Sequence, residues 1–326
     1  MFELIGTLGI LAALVPLSYL IESRRKGPAP PQSLPWAPDL PVRWATVDGV
    51  RLRYIVTGSG PALVLLHTLR TQLDLFQKVI LPLSRHYTVY AVDLPGHGHS
   101  DIPPVDYTAD LFMDKIAGFL DQVGIEQAVL MGESIGATMS LGLAARRHPR
   151  VRAVVAISTY DYDRGRGAKR GSALGWLLFS LNDVPVLGGT VTRLRQYPVV
   201  KAVFQGGLHR LKALPEALAR EMYLVGNRPG HYRAFMSLVH HWPTWEAVRE
   251  HYDDIDRPVL LLYGDHDWSR PEERAETARR IPGAEVRTVG NAGHFLSLDA
   301  PEETIERVVE FVERLPAPSD PGRFTM

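Results

Sequence analysis

Three side chains in this chain of 326 residues could together break an acyl bond: Ser134, one of the aspartates Asp265 and Asp267, and His294. A serine hydroxyl is a weak nucleophile at neutral pH and needs a base beside it. Histidine is that base, and it later protonates the leaving group, while a carboxylate orients the imidazole and stabilises its charged form. Ser134 sits in Gly132-Glu133-Ser134-Ile135-Gly136, after an apolar run and before a small-residue, helix-compatible stretch from Ala137 to Arg147. A serine on a sharp strand-to-helix turn has little room around it, which is what flanking glycines provide. The first N–H groups of the following helix point to where negative charge develops in acyl transfer, so the N–H of Ile135 is a candidate oxyanion donor.

The elements that must position these residues are legible from patterning. Val42–Val47 and Arg51–Val56 alternate and are joined through Asp48-Gly49, a hairpin signal. Dense apolar runs follow at Ala62–Leu66, Tyr87–Val92, Gln127–Met131, Val151–Ile157, Val259–Tyr263 and Glu285–Val289, as in strands buried on both faces of a parallel sheet. Amphipathic stretches at Gln72–Ser84, Thr108–Val123, Ile135–His148, Pro271–Ile281 and Pro301–Leu315 read as helices between or after them. The pattern predicts an α/β fold: a mostly parallel, eight-stranded sheet flanked by helices. Ligand and catalytic groups in such sheets gather beyond the carboxyl ends of strands. Ser134, the pair Asp265 and Asp267, and His294 each follow a strand. So do His67-Thr68-Leu69 and the stretch Asp93-Leu94-Pro95-Gly96-His97-Gly98-His99-Ser100.

These motifs together resemble the α/β-hydrolase fold superfamily, in particular its lidded serine hydrolases. The resemblance runs from about Val42 to Leu315 and rests on the loop Asp93–Ser100, the elbow Gly132–Gly136, Gly264–Asp267 and Gly293-His294. It implies Ser134 as nucleophile, His294 as base and Asp267 as its orienting acid. Asp265 also follows the strand and competes with Asp267, and Asp161 occupies a place where some relatives carry the acid. It implies Leu69 as the second oxyanion donor. Here the chain departs from the family, which has His-Gly where this sequence has His67-Thr68; either the turn is rearranged or the Thr68 hydroxyl also faces the oxyanion. Thr68, Arg70 and Trp268 are candidate substrate contacts, Arg70 through an acidic group on the substrate. His67, His97 and His99 lack ligand spacing, so no metal is expected, and no cofactor is implied. His240-His241-Trp242 could touch substrate or be structural.

About a hundred residues without a clear strand separate Ser158 from Pro258, too long for a loop. They read as an inserted helical lid over residues 159–257, with helices at Ala173–Leu181, Thr190–Phe204, Glu216–Val225 and His231–His241. The core is then 42–158 and 258–315. From Tyr160 to Arg220 the lid carries ten Lys or Arg against four acids, and an apolar run from Leu174 to Phe179. That combination suits an anionic lipid surface.

The N-terminus reads as a membrane segment. Leu4–Ile21 is uncharged and mostly apolar, and Glu22-Ser23-Arg24-Arg25-Lys26 follows. About eighteen helical residues reach across the hydrocarbon core. A basic flank on the C-terminal side favours a retained single-pass anchor over residues 1–26, with the catalytic domain on the cytoplasmic face; the competing reading is a cleaved signal peptide and a secreted or periplasmic enzyme. Residues 27–41 hold six prolines, a stiff spacer, and 316–326 form a proline-rich tail expected to be disordered.

Lys plus Arg and Asp plus Glu are equal at 36 each, which gives no electrostatic case for nucleic acid, and with no cysteine thiolate chemistry is excluded. The reading is a membrane-anchored serine hydrolase cleaving an ester-like bond of a lipophilic small molecule through an acyl-enzyme. Alternatives on the same triad are a carbon–carbon bond hydrolase, an amidase or peptidase, an acyltransferase and a cofactor-free haloperoxidase. Relatives with an aspartate nucleophile are disfavoured by Ser134, and a non-catalytic binding scaffold is disfavoured by the intact set of three.

Overall fold

The structure, a computed structural model, describes residues 2–316, with side chains described over 13–316. Ten strands are present among these residues: β1 (Ser33–Leu34), β2 (Ala37–Pro41), β3 (Arg43–Val47), β4 (Val50–Thr57), β5 (Ala62–Leu66), β6 (Thr88–Val92), β7 (Ala128–Glu133), β8 (Val151–Ile157), β9 (Val259–Gly264) and β10 (Glu285–Val289). β3 to β10 form one sheet in the order β10-β9-β8-β7-β5-β6-β4-β3. β5 to β10 run parallel, and β4 alone is reversed, pairing antiparallel with both β6 and β3. Asp48 and Gly49 both take positive φ, 44° and 77°, which makes the tight turn between β3 and β4. β7, β8 and β9 are apolar along nearly their whole length because helices cover both sheet faces.

The helices, in chain order, are α1 (Phe2–Ser23), α2 (Ile80–Leu83), α3 (Ala109–Gln122), α4 (Ile135–Ala145), α5 (Ala173–Leu181), α6 (Leu187–Arg193), α7 (Tyr197–Gln205), α8 (Glu216–Val225), α9 (His231–His240), α10 (Pro243–Val248), α11 (Pro271–Arg280), α12 (Leu296–Asp299) and α13 (Pro301–Glu313). α5 to α10 lie between β8 and β9. The single helix expected over 190–204 is two, α6 and α7, because Leu194–Gln196 turn away and Pro198 starts a new helix in its first turn. The helix expected over 72–84 is reduced to a 3₁₀ turn (Leu73–Phe76) and the short α2. There Asp74 turns inward to accept hydrogen bonds from Trp36 Nε1 at 2.7 Å and Arg53 Nη2 at 2.9 Å.

That inward turn is part of a polar knot under the site. Arg53 is buried in β4 and donates to Asp93 at 2.5 and 3.2 Å. Asp93 also accepts from the N–H groups of Leu73 at 2.8 Å and His99 at 2.7 Å. A Cβ on Gly98 would lie 2.0 Å from the Asp93 carboxylate, and φ is +49°, so only glycine fits there. Ser100 Oγ donates to the Asp93 carbonyl at 2.7 Å and accepts from Arg53 N at 2.9 Å. The Asp93–Ser100 motif is thus a device for fixing loops, without a group aimed at substrate.

The N-terminal segment departs from expectation. Among the described residues no helix is long and apolar enough to cross a membrane, so the transmembrane anchor, the membrane as partner and the placement on the cytoplasmic face are corrected. The physical reason is that the end of α1 is committed to protein. Ser18 is buried and accepts from Arg193 Nε at 2.9 Å. Glu22 pairs with Arg195 at 2.6 Å. Arg25 donates to Asn227 Oδ1 at 3.0 Å and to the carbonyls of Arg193 and Arg195 at 3.1 and 2.7 Å. Side chains that take their partners from protein are not offered to lipid. Part of the basic face expected to meet lipid is likewise paired: Lys169 with Asp183 at 2.8 Å, and Arg170 with both Asp163 and Glu273 at 2.7 Å.

The spacer over 27–41 is also revised, since β1 and β2 fold as a small antiparallel pair with Leu34 buried. The tail reading for 316–326 falls, beyond Pro316, outside the described residues.

Removing one partner of a buried ion pair leaves the other charge uncompensated, at a cost of about 3–5 kcal/mol. Asp93→Ala is therefore expected to lower unfolding free energy in urea by about that amount. A loss below about 1 kcal/mol, the scale of an exposed pair, would contradict the role given to the knot.

Candidate active site

Ser134 lies between β7 and α4 with φ 60° and ψ −117°. This backbone is unfavourable for a residue with a side chain and must be held by its surroundings. The Ser134 N–H donates to the Ile157 carbonyl of β8 at 2.8 Å. The start of α4 presses against β5 and β7: a Cβ on Gly132 would lie 2.0 Å from the Gly136 carbonyl oxygen, and one on Gly136 2.0 Å from the Leu66 carbonyl oxygen. The flanking glycines are thus required by close backbone approach on both sides of the serine.

His294 and Asp267, on the loops after β10 and β9, are fully buried and meet at 2.8 Å, Nδ1 to Oδ2. A carboxylate only accepts, so Nδ1 carries the hydrogen and Nε2 is left as the acceptor. The other Asp267 oxygen accepts from Ser269 N at 2.7 Å and from Ser269 Oγ, and Arg274 Nε donates to that hydroxyl at 2.9 Å. Burial opposes the charge on Asp267, but the adjacent His294 and the Ser269 hydrogen bonds outweigh it and hold the carboxyl below its usual range. Asp265 does not compete: it accepts from the N–H groups of Asn291 and Ala292 at 3.0 and 3.1 Å and shapes the loop leading to His294. Asp161 accepts from Thr159 and Thr277 at 2.8 and 3.0 Å instead of from His294.

Ser134 Oγ and His294 Nε2 are both buried and have no hydrogen-bond partner among the described residues. Trp268 stacks on the His294 ring at 3.8 Å and 13°, and its Nε1 donates to Gly206 O at 3.1 Å. The indole therefore fixes the imidazole plane.

The His67-Thr68-Leu69-Arg70 turn needs no glycine at Thr68. Its left-handed residue is Arg70, with φ 56°. Thr68 O accepts from Thr71 Oγ1 and His67 Nδ1, both at 2.8 Å, and His67 Nε2 accepts from Leu94 N at 3.0 Å. These bonds fix His67 as a neutral brace, and burial lowers its pKa to about 4. His97 is likewise neutral, lowered by burial to about 3, with Nδ1 donating to Pro95 O at 3.0 Å. Among the described residues no group of three His, Cys, Asp or Glu is placed to hold a metal. Thr68, Leu69 and Arg70 line one cavity with Trp268 and, from the helices between β8 and β9, Phe204 and Phe235. Trp242 is buried against Phe179 and Tyr160, a structural position.

A family model described as alpha/beta hydrolase fold matches residues 61–301. This chain belongs to that family. As a member it is a hydrolytic enzyme. It is 29% identical over 83% of its length to a 2-(acetamidomethylene)succinate hydrolase of Mesorhizobium japonicum, covering 95% of that protein. It is 25% identical over 84% of its length to an sn-1-specific diacylglycerol lipase of Mus musculus, covering 85% of that protein. Among solved structures it resembles an enol-lactonase from Burkholderia xenovorans LB400, with a TM-score of 0.67 at 24% identity, covering 83% of this chain and all of that one.

One residue of the site region escaped sequence reading. Glu133, the residue before the serine, is buried with Oε1 accepting from Ser297 N at 3.2 Å and Oε2 unpartnered. Its signal was only a carboxylate closing an otherwise apolar strand. Burial pushes its pKa up to about 8. The folded state therefore binds a proton that the unfolded chain releases between about pH 4.5 and 8, so this group's stabilising contribution falls as pH rises through that window. Glu133→Gln is expected to match the wild type near pH 4 and to exceed it in urea stability at pH 8.5. Equal pH slopes for the two proteins over this range would contradict the assignment.

Proposed function

We propose that this protein is a serine hydrolase that cleaves an ester-like bond of a small, largely apolar substrate through an acyl-enzyme. The observation that carries the reading is the buried Asp267–His294 pair whose Nε2 is free to accept, together with a buried, unpartnered Ser134 hydroxyl on a strained elbow.

Ser134 Oγ attacks the substrate carbonyl carbon as its proton passes to His294 Nε2. Charge developing on the carbonyl oxygen is received by the N–H groups of Ile135 and Leu69, neither of which donates to another backbone carbonyl among the described residues. Collapse of the intermediate breaks the bond to the leaving group, which takes the proton from His294. Water then attacks the acyl-enzyme by the same route in reverse, with His294 as base. Asp267 stays ionised throughout, stabilising the imidazolium. The helices α5 to α9 serve as a lid, since their side chains supply most of the apolar wall of the cavity, Phe179, Val203, Phe204 and Met222 among them. That wall supports acyl chains over polar groups as the preferred filling.

Asp267→Asn changes the hydrogen bond that fixes the His294 tautomer. It is expected to lower kcat on p-nitrophenyl esters by roughly 10⁴-fold while leaving KM within a small factor. Rates within about tenfold of wild type would contradict the triad assignment.

A further inference from the structure

One charged group in the cavity has no role in the chemistry above. Arg70 follows Leu69 directly, so its backbone is part of the same turn that offers the oxyanion N–H. Its guanidinium lies over the Phe235 ring, 4.6 Å from the centroid, and it lines the cavity. Among the described residues it makes no hydrogen bond, and no carboxylate lies within ion-pair distance. The acid that lies nearest in effect, Glu22, is already shared by Arg195 at 2.6 Å and Arg25 at 3.3 Å. Arg193, on the same side, takes Ser18, Thr190 and Tyr232 as partners and no acid. The guanidiniums of Arg70, Arg195 and Arg25 thus share the one carboxylate of Glu22. Burial and then Arg195 pull the Arg70 pKa down to about 9; Glu22 pulls it up, and Arg25 adds a smaller downward pull. Arg195 and Lys201 also line the cavity, but each has an acid, Glu22 and Glu216, both at 2.6 Å; most of the remaining wall is apolar, Leu178, Val199, Val203 and Met222 among it.

An arginine turned into an apolar cavity without an acceptor is costly, and its planar fork matches a carboxylate in two parallel hydrogen bonds. We propose that Arg70 binds a carboxylate on the substrate, so that the pocket takes monoanionic esters, an apolar chain ending in an acid, in preference to their neutral counterparts. This rests on the hydrolase reading above and narrows its substrate class. Phe235 keeps the guanidinium plane fixed, and the unpaired donors of Arg70 receive the anion, which supplies the charge that the protein leaves missing.

The test compares monomethyl glutarate with dimethyl glutarate, which differ only by the free acid. Binding is measured by calorimetry on Ser134→Ala protein, so that turnover does not interfere. The monoanion is expected to bind at least about tenfold more tightly, as befits a charge-assisted pair in a partly desolvated site. Arg70→Gln on that background is expected to erase the difference, and Arg70→Lys to keep part of it, since charge remains but the fork is lost. The ratio of the two ligands on the unmodified cavity stands without either variant, and melting temperatures report whether the variants are folded. Equal affinities, tighter binding of the diester, no binding of either at millimolar concentration, or a preference that survives in Arg70→Gln would each overturn the proposal. Hydrolysis of monomethyl glutarate by the wild type reads the other account separately. Selective binding without hydrolysis would contradict the hydrolase reading while supporting the anion site.

Discussion

The structure depends on how closely the start of α4 approaches β5 and β7. Two backbone contacts that no Cβ could share, at Gly132 and Gly136, leave Ser134 on a turn with positive φ. The geometry does three things at once. It raises the serine off the sheet, it aims the first N–H of α4 at the same space, and it buries the hydroxyl away from competing hydrogen bonds. Strain of this kind persists only where the surroundings over-determine it. Here the parallel strands β7 and β8 and the bond from Ser134 N to Ile157 O provide that constraint.

A second layer holds the partners. Asp93 fixes the loop before the site by accepting from Arg53, Leu73 and His99. Asp299 does the same on the other side, accepting from the N–H groups of His209, Arg210 and Gly293 at 2.7, 3.0 and 2.8 Å. Two buried carboxylates thus tie the turn before His294 to the helical insertion and the turn before Leu73 to β4. Both spend much of their acceptor capacity on backbone N–H groups, and Asp93 also pairs with the Arg53 side chain, a use of carboxylates distinct from that of Asp267.

Much of the fold was legible because its signals are local. Asp48-Gly49 marks a turn with two positive φ values, and dense apolar runs mark strands buried on both faces. The elbow and Asp267 were legible as residue types at strand ends; that Asp267 and His294 meet at 2.8 Å is a matter of the loops after β9 and β10. What sequence could not supply depended on partners distant in the chain. The apolar, uncharged character of 4–21 suggested a membrane span, yet Ser18, Glu22 and Arg25 find their partners in Arg193, Arg195 and Asn227, about 170 to 200 residues away. The Thr68 puzzle had the same origin. The left-handed residue of that turn is Arg70, two positions on, and no spacing rule places it there. Glu133 likewise gave no periodic signal, since its setting is made by α12.

The central claim is that Ser134 is a nucleophile activated by His294. A fluorophosphonate probe followed by peptide mass spectrometry tests it most directly. The account predicts a single adduct on Ser134, formed rapidly in the wild type and lost in both Ser134→Ala and His294→Ala. A folded wild type that takes up no probe, or an adduct that persists at its full rate in His294→Ala, would contradict it.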